Sequence, residues 1–71
     1  MEKIAISSEY ITLGQFLKYA AIVSSGGMVR HILEEYTIHV NDVKENRRGK
    51  KLRPGDKIVI KTIGEYRITT E

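Results

Sequence analysis

Apolar residues recur along this chain with two different periods, and the switches between the periods mark its elements. Ile4 and Ile6 alternate with Lys3, Ala5 and Ser7, which predicts a short opening strand. Thr12 and Gln15 then have the spacing of a capping box, in which the threonine oxygen accepts an amide hydrogen of the first turn and the glutamine reaches back. Leu13, Phe16, Leu17 and Ala20 follow at i, i+3, i+4 and i+7, one apolar stripe of a first helix that ends near Ala21 or Ile22. Val29, Ile32, Leu33 and Tyr36 repeat that spacing, with Met28 widening the stripe and Ser25 suited to the N-cap of a second helix. The connection, Val23 to Gly26, is short enough to make the helices neighbours. Neither is long enough to be stable alone, so both need a sheet to cover.

The period then drops to two. Ile38 and Val40 flank His39, Asn41-Asp42 is a turn signal that asks Asp42 for a positive φ, and Val43 to Glu45 can return as a partner strand. In "LRPGDKIVIK", Pro54 presets the second position of a turn and Gly55 tolerates the positive φ of the third. Ile58 and Ile60 then face one way and Lys57, Val59 and Lys61 the other, Gly64-Glu65 interrupts, and Tyr66 to Thr69 alternates again. The order β-α-α-β-β-β-β predicts an α+β domain with few, short strands. No repeat, linker or low-complexity tract is visible, so residues 1–71 read as one domain.

Size and composition narrow the function. A chain of 71 residues buries only about 60% of the surface its unfolded form exposes, which disfavours a deep, water-excluding catalytic cleft. Without cysteine there are no disulfides, thiolate metal sites or cysteine nucleophiles, in keeping with a reducing compartment. Glu2 and Lys3 precede only a short apolar run, so no signal peptide is read, and no stretch reaches the roughly 20 apolar residues of a membrane span. A cytoplasmic protein, away from the membrane and acting as a monomer, is expected.

The net charge of +3 conceals a strong polarity. Lys44 to Lys61 carries eight basic residues against two acidic ones, +6, whereas the remainder carries four against seven, −3. A one-sided basic stretch on a small domain is the electrostatic footprint of nucleic-acid binding; the plainer alternative is a solvated lysine-rich loop. Arg47 and Arg48 can fork onto phosphate oxygens, Lys50 and Lys51 act as mobile point charges, and Lys44 and Arg53 flank them, with Pro54 able to turn Arg53 toward the sheet. The string "SSGG" before the second helix offers a second anion site. Ser25, Gly26 and Gly27 can bare amides at the positive end of the helix dipole, with Arg30 one turn on. The alternative reading of these glycines is a relaxed joint between helices. Lys18 completes the candidate nucleic-acid-binding set.

No catalytic or metal constellation competes, and no cofactor is expected. His31 and Glu35 at i, i+4 make at most two ligands where a metal site needs three, and Ser24 and Ser25 lack the setting of a nucleophile elbow. Glu34 and Glu35 read as a solvated face. Among the tyrosines, Tyr36 and Tyr66 lie on apolar stripes and read as core, Tyr19 is the most exposed, and Tyr10 is a further stacking candidate.

Leu13 and Leu17, Ile32-Leu33, "IHVND" and "GDKIVI" in this order resemble the RNA-binding domain first known from small-subunit ribosomal protein S-four, the alpha-L motif, over about residues 11–60. "SGGMVRHIL" and "ENRRGKKLRPGDKI" resemble its small stand-alone YaaA/YbcJ-type branch. The resemblance implies two neighbouring helices packed on a small, mainly antiparallel four- to five-stranded sheet. It also implies non-catalytic binding of structured RNA, most often ribosomal RNA, by the two-helix face and basic loop, in association with the ribosome or its assembly. The chain departs where the wider family has Arg-Leu-Asp opening helix one and Ser-Arg opening helix two. Here those places read Thr12-Leu13-Gly14 and Gly26-Gly27, and Asp42 replaces the usual glycine after Val-Asn. Two other classes are weighed: a protein-interaction module whose basic loop meets an acidic partner, and a β-grasp sulfur carrier, which the ending Thr69-Thr70-Glu71 disfavours because that chemistry needs a terminal Gly-Gly.

Overall fold

The computed structural model describes all residues, Met1 to Glu71. Its elements run β1 (Glu2–Ile6), β2 (Ile11–Thr12), α1 (Leu13–Tyr19), α2 (Gly26–Glu35), β3 (Ile38–Val40), β4 (Val43–Lys44), β5 (Lys51–Leu52), β6 (Lys57–Ile60) and β7 (Gly64–Thr70). Five strands form one sheet in the order β1-β7-β6-β3-β4, antiparallel throughout except for the parallel edge strand β1. The expected α+β architecture is therefore the one observed.

Alternation places the branched residues on one face. Ile4, Ile6, Ile38, Val40, Ile58, Ile60, Tyr66 and Ile68 are buried from the sheet, and Leu13, Phe16, Leu17, Val29 and Ile32 close over them from the helices. Phe16 meets Tyr66 edge-on, with ring centroids 5.3 Å apart. Truncating a fully buried Phe16 to alanine costs about 3–5 kcal/mol, comparable to the whole stability of a small domain.

The capping box is present: the Gln15 amide donates to Thr12 Oγ1 at 3.2 Å and the Thr12 amide to Gln15 Oε1 at 2.9 Å. The helix is shorter than its apolar period. It ends at Tyr19 because Ala21 turns into the left-handed region at φ 59°. The Ala21 and Ile22 amides then bond back to the Lys18 and Leu17 carbonyls, both at 3.0 Å, a Schellman closure with alanine where glycine is usual. Ile22 rejoins the core through this turn, which is why the stripe reads on past the helix end. Ser25 holds the N-cap position of α2 as expected, but its hydroxyl caps no amide. Tyr36 is a correction: it is no core residue but the C-cap of α2, 36% exposed, because the chain turns extended there and swings the ring off the helix stripe.

Both expected turns form. Asn41 and Asp42 adopt φ of 51° and 69°, a primed two-residue hairpin turn, and Gly55 adopts φ 98° after Pro54. A polar brace ties the two together. Asn41 Nδ2 donates to Asp56 Oδ1 at 3.0 Å, the Lys57 amide to Asn41 Oδ1 at 2.9 Å, and the Arg53 amide to Asp56 Oδ2 at 2.8 Å. The polar residues of "IHVND" and "GDKIVI" thus hold strands in register.

The β2–β5 pair was not legible in the sequence. It has two residues on each side, Ile11 opposite Leu52 and Thr12 opposite Lys51, too few to show alternation. It carries the basic loop onto the helices.

Candidate nucleic-acid interface

The first turn of a helix has free amides, and in α1 the basic loop supplies their acceptors. The Leu13 amide donates to the Lys50 carbonyl at 2.8 Å and the Gly14 amide to the Arg48 carbonyl at 2.9 Å. This docking needs a close approach. A Cβ built on the buried Gly14 lies 3.4 Å from the Arg48 carbonyl oxygen and 3.5 Å from Val29 Cγ1, so any side chain longer than a methyl would press the loop away from both helices. Gly14, unremarked as a functional residue in the sequence, is the point where α1, α2 and the loop meet.

Pinned in this way, the basic run divides between two faces. Arg47, Lys50, Lys51 and Arg53, with Gly49, line a shallow depression that has no apolar wall. Lys44 and Arg48 turn to the other side, where with Arg30 they line a groove of about 490 Å³ against Leu33, Tyr36 and the carboxylates Glu34, Glu35 and Glu45. Arg30 is engaged there, its Nε 2.8 Å from Glu34 on the exposed helix face. The first depression is uniformly cationic and the second is mixed in sign.

Glu45 organises the boundary between them. Its carboxylate accepts from the amides of Asn46 (3.2 Å) and Arg47 (3.0 Å) and from Nε and Nη2 of Arg47 (2.9 and 3.0 Å). The guanidinium bonds first, and the Arg47 amide next, hold the carboxyl at about 2 against an ordinary 4.5. The same contact raises Arg47 further. Arg47 is thus not the free fork the sequence implied: one edge of its guanidinium is taken by Glu45. Tyr10 is a second unanticipated support, with Lys51 Nζ 4.9 Å and Arg53 Cζ 5.7 Å from its ring centre, distances at which a cation is held by the aromatic face. The reach from Glu45 to the amide two residues on is a local signal a sequence reader could use; the approach of Tyr10 has none.

The remaining candidates lie elsewhere. Ser25, Gly26 and Gly27 are exposed at the start of α2 and line neither depression, and Lys18 is exposed in the last turn of α1. A Cβ on Gly26 or Gly27 would meet nothing within 4 Å, and neither glycine has a positive φ. No fold constraint requires them to be glycine.

The protein is thus a small α+β fold with two docked helices and a cationic loop braced on them. The chain belongs to the S4 domain family, whose model matches residues 4–69. A relative from Bacillus subtilis (strain 168), "Probable ribosome maturation protein RlbA", is 48% identical over 65 residues, covering 92% of each chain. No solved structure matches.

Proposed function

We propose that this protein is a non-catalytic, cytoplasmic RNA-binding module that recognises structured RNA, ribosomal RNA in particular, and serves ribosome maturation, the role the Bacillus subtilis relative's name gives that protein. The observation that carries the reading is the depression lined by Arg47, Lys50, Lys51 and Arg53 on a chain of the S4 domain family. Phosphate contacts supply affinity and little sequence information, so such a surface selects shape. A-form RNA presents phosphates and 2′-hydroxyls where base edges are hard to reach. Arg48, Lys44, Arg30 and Lys18 extend the positive field, and Ser25, Gly26 and Gly27 offer amides at the start of α2. No helix is long and apolar enough to cross a membrane.

The test is binding of a labelled A-form RNA hairpin and a B-form DNA duplex of matched length in rising salt. RNA is expected to bind tighter, and replacing Arg47, Arg48, Lys50 and Lys51 with alanine is expected to flatten the salt slope by roughly 0.7–0.9 log units per lost phosphate contact. Equal affinity for both duplexes, or an unchanged slope, refutes the reading. The second reading, a protein partner, draws on the groove lined by Arg30, Lys44 and Arg48, whose apolar wall of Leu33 and Tyr36 and carboxylates Glu34, Glu35 and Glu45 suit a peptide of mixed charge better than a phosphate.

A further inference from the structure

A cationic loop can bind RNA in two ways. Flexible charges can gather around the backbone, or the protein can hold one donor set in advance at a position a phosphate must occupy. The two differ in what an acidic residue inside the loop does. In a diffuse field it only subtracts.

Glu45 has the geometry of the second kind. Its side chain is 9% exposed while that of Arg47 is 73% exposed, so the carboxylate lies beneath the guanidinium and the guanidinium faces solvent. Both carboxylate oxygens are occupied, by four N–H groups from two consecutive residues. The loop backbone and the arginine head are thereby fixed to the same anion. Nε and one N–H of Nη2 are taken by Glu45, which leaves Nη1 and the second N–H of Nη2 free of it, and Arg47 lines the depression together with Gly49, Lys50, Lys51 and Arg53. Gly49 has nothing within 4 Å of a built Cβ, so no neighbour crowds the depression at that position.

We infer that Glu45 is a positioning residue that clamps Arg47 into a preformed seat for one RNA backbone phosphate, with Lys50, Lys51 and Arg53 as its other cations. This rests on the RNA-binding reading and specifies how the loop delivers it. The clamp lowers the ordering cost of binding, because the guanidinium and its loop are already held in one geometry. A freely rotating arginine would lose that freedom on contact.

The inference gives Glu45→Gln an effect of opposite sign to simple electrostatics. The substitution removes one negative charge from a positive surface, and a diffuse field then binds RNA more tightly. A glutamine has only one acceptor oxygen, and its NH₂ would face an N–H of Arg47 or of the backbone, so the clamp opens. The expected result is binding of the A-form hairpin weakened about three- to tenfold despite the added positive charge, on the order of one charge-assisted contact. Arg47→Lys, which keeps the charge and loses the fork, is expected to weaken binding similarly, and Glu45→Gln in an Arg47→Ala background is expected to weaken it no further, since only the charge effect remains. Circular dichroism and thermal unfolding of each variant establish that the fold is retained, and Arg47→Lys carries the test should Glu45→Gln fail to fold. Inorganic phosphate is expected to displace the hairpin from the wild-type protein more effectively than chloride at matched ionic strength, and to lose that advantage in Glu45→Gln.

Hairpin affinity unchanged or increased in Glu45→Gln, or equal displacement by phosphate and chloride, overturns the seat while leaving RNA binding by the loop intact. Phosphate that binds without displacing the hairpin assigns the seat to a free anion and also overturns it. A wild-type protein that fails to bind the hairpin in a salt-dependent way removes the RNA-binding reading itself.

Discussion

Gly27→Ala separates what the start of α2 does for the fold from what it does for RNA. A Cβ at Gly27 meets nothing within 4 Å, and its φ is not positive, so alanine enters without strain. Such a substitution stabilises by about 0.4–1 kcal/mol, through the lower entropy of the unfolded chain and better helix propensity. For a domain of this size that corresponds to a rise in Tm of about 2–8 °C. The same methyl blocks the close approach of a phosphate to the first-turn amides, so hairpin affinity is expected to fall about tenfold, the worth of one charge-assisted contact. Thermal unfolding followed by circular dichroism gives the first quantity and fluorescence anisotropy with the labelled hairpin the second. A lower Tm refutes the argument that the helix start is sterically free. A higher Tm with unchanged affinity refutes the phosphate notch, makes the glycines a loose joint between helices and confines the interface to the loop.

Ala21→Gly is expected to stabilise the protein by about 0.5–1 kcal/mol in urea unfolding, since the left-handed φ of 59° costs alanine more than glycine's greater unfolded-state entropy returns. Asp56→Ala leaves the Arg53 amide and Asn41 Nδ2 without their acceptor and is expected to cost about 1–3 kcal/mol, with the salt slope of RNA binding unchanged because the brace is structural. Glu45 makes part of the stability depend on acid: its folded value of about 2 lies below the ordinary 4.5, so its contribution is complete above pH 4.5 and is lost as pH falls toward 2. The stability difference between wild type and Glu45→Gln, followed by urea unfolding, is therefore expected to shrink across that window; a constant difference refutes the clamp.

Much of the architecture was legible because burial imposes a period. A strand covered on one face must alternate, and a helix covered on one stripe must repeat at i, i+3 and i+4, so β1, β3, β6, β7 and both helices could be read from where Ile, Val and Leu fall, whereas the exposed, two-residue β4 followed from the turn before it. Turn chemistry was equally direct, since Asn41-Asp42 and Pro54-Gly55 have few backbone options. What failed was local closure. The end of α1 was misplaced because no glycine announces the turn at Ala21, and Tyr36 was misread because a stripe does not tell where its last turn unwinds.

The candidate interface divides in the same way. Composition alone located the basic run, because charge needs no geometry to be counted. The direction of each charge does need geometry, and a loop has no period to supply it. Only when the carbonyls of Arg48 and Lys50 dock on the amides of α1 does the run split, Lys44 and Arg48 to one side and Arg47, Lys50, Lys51 and Arg53 to the other. The local bonds of the loop likewise turn Glu45 from one more charge in a sum into the anion beneath Arg47, because a hydrogen bond depends on angles and distances that a count of charges does not contain.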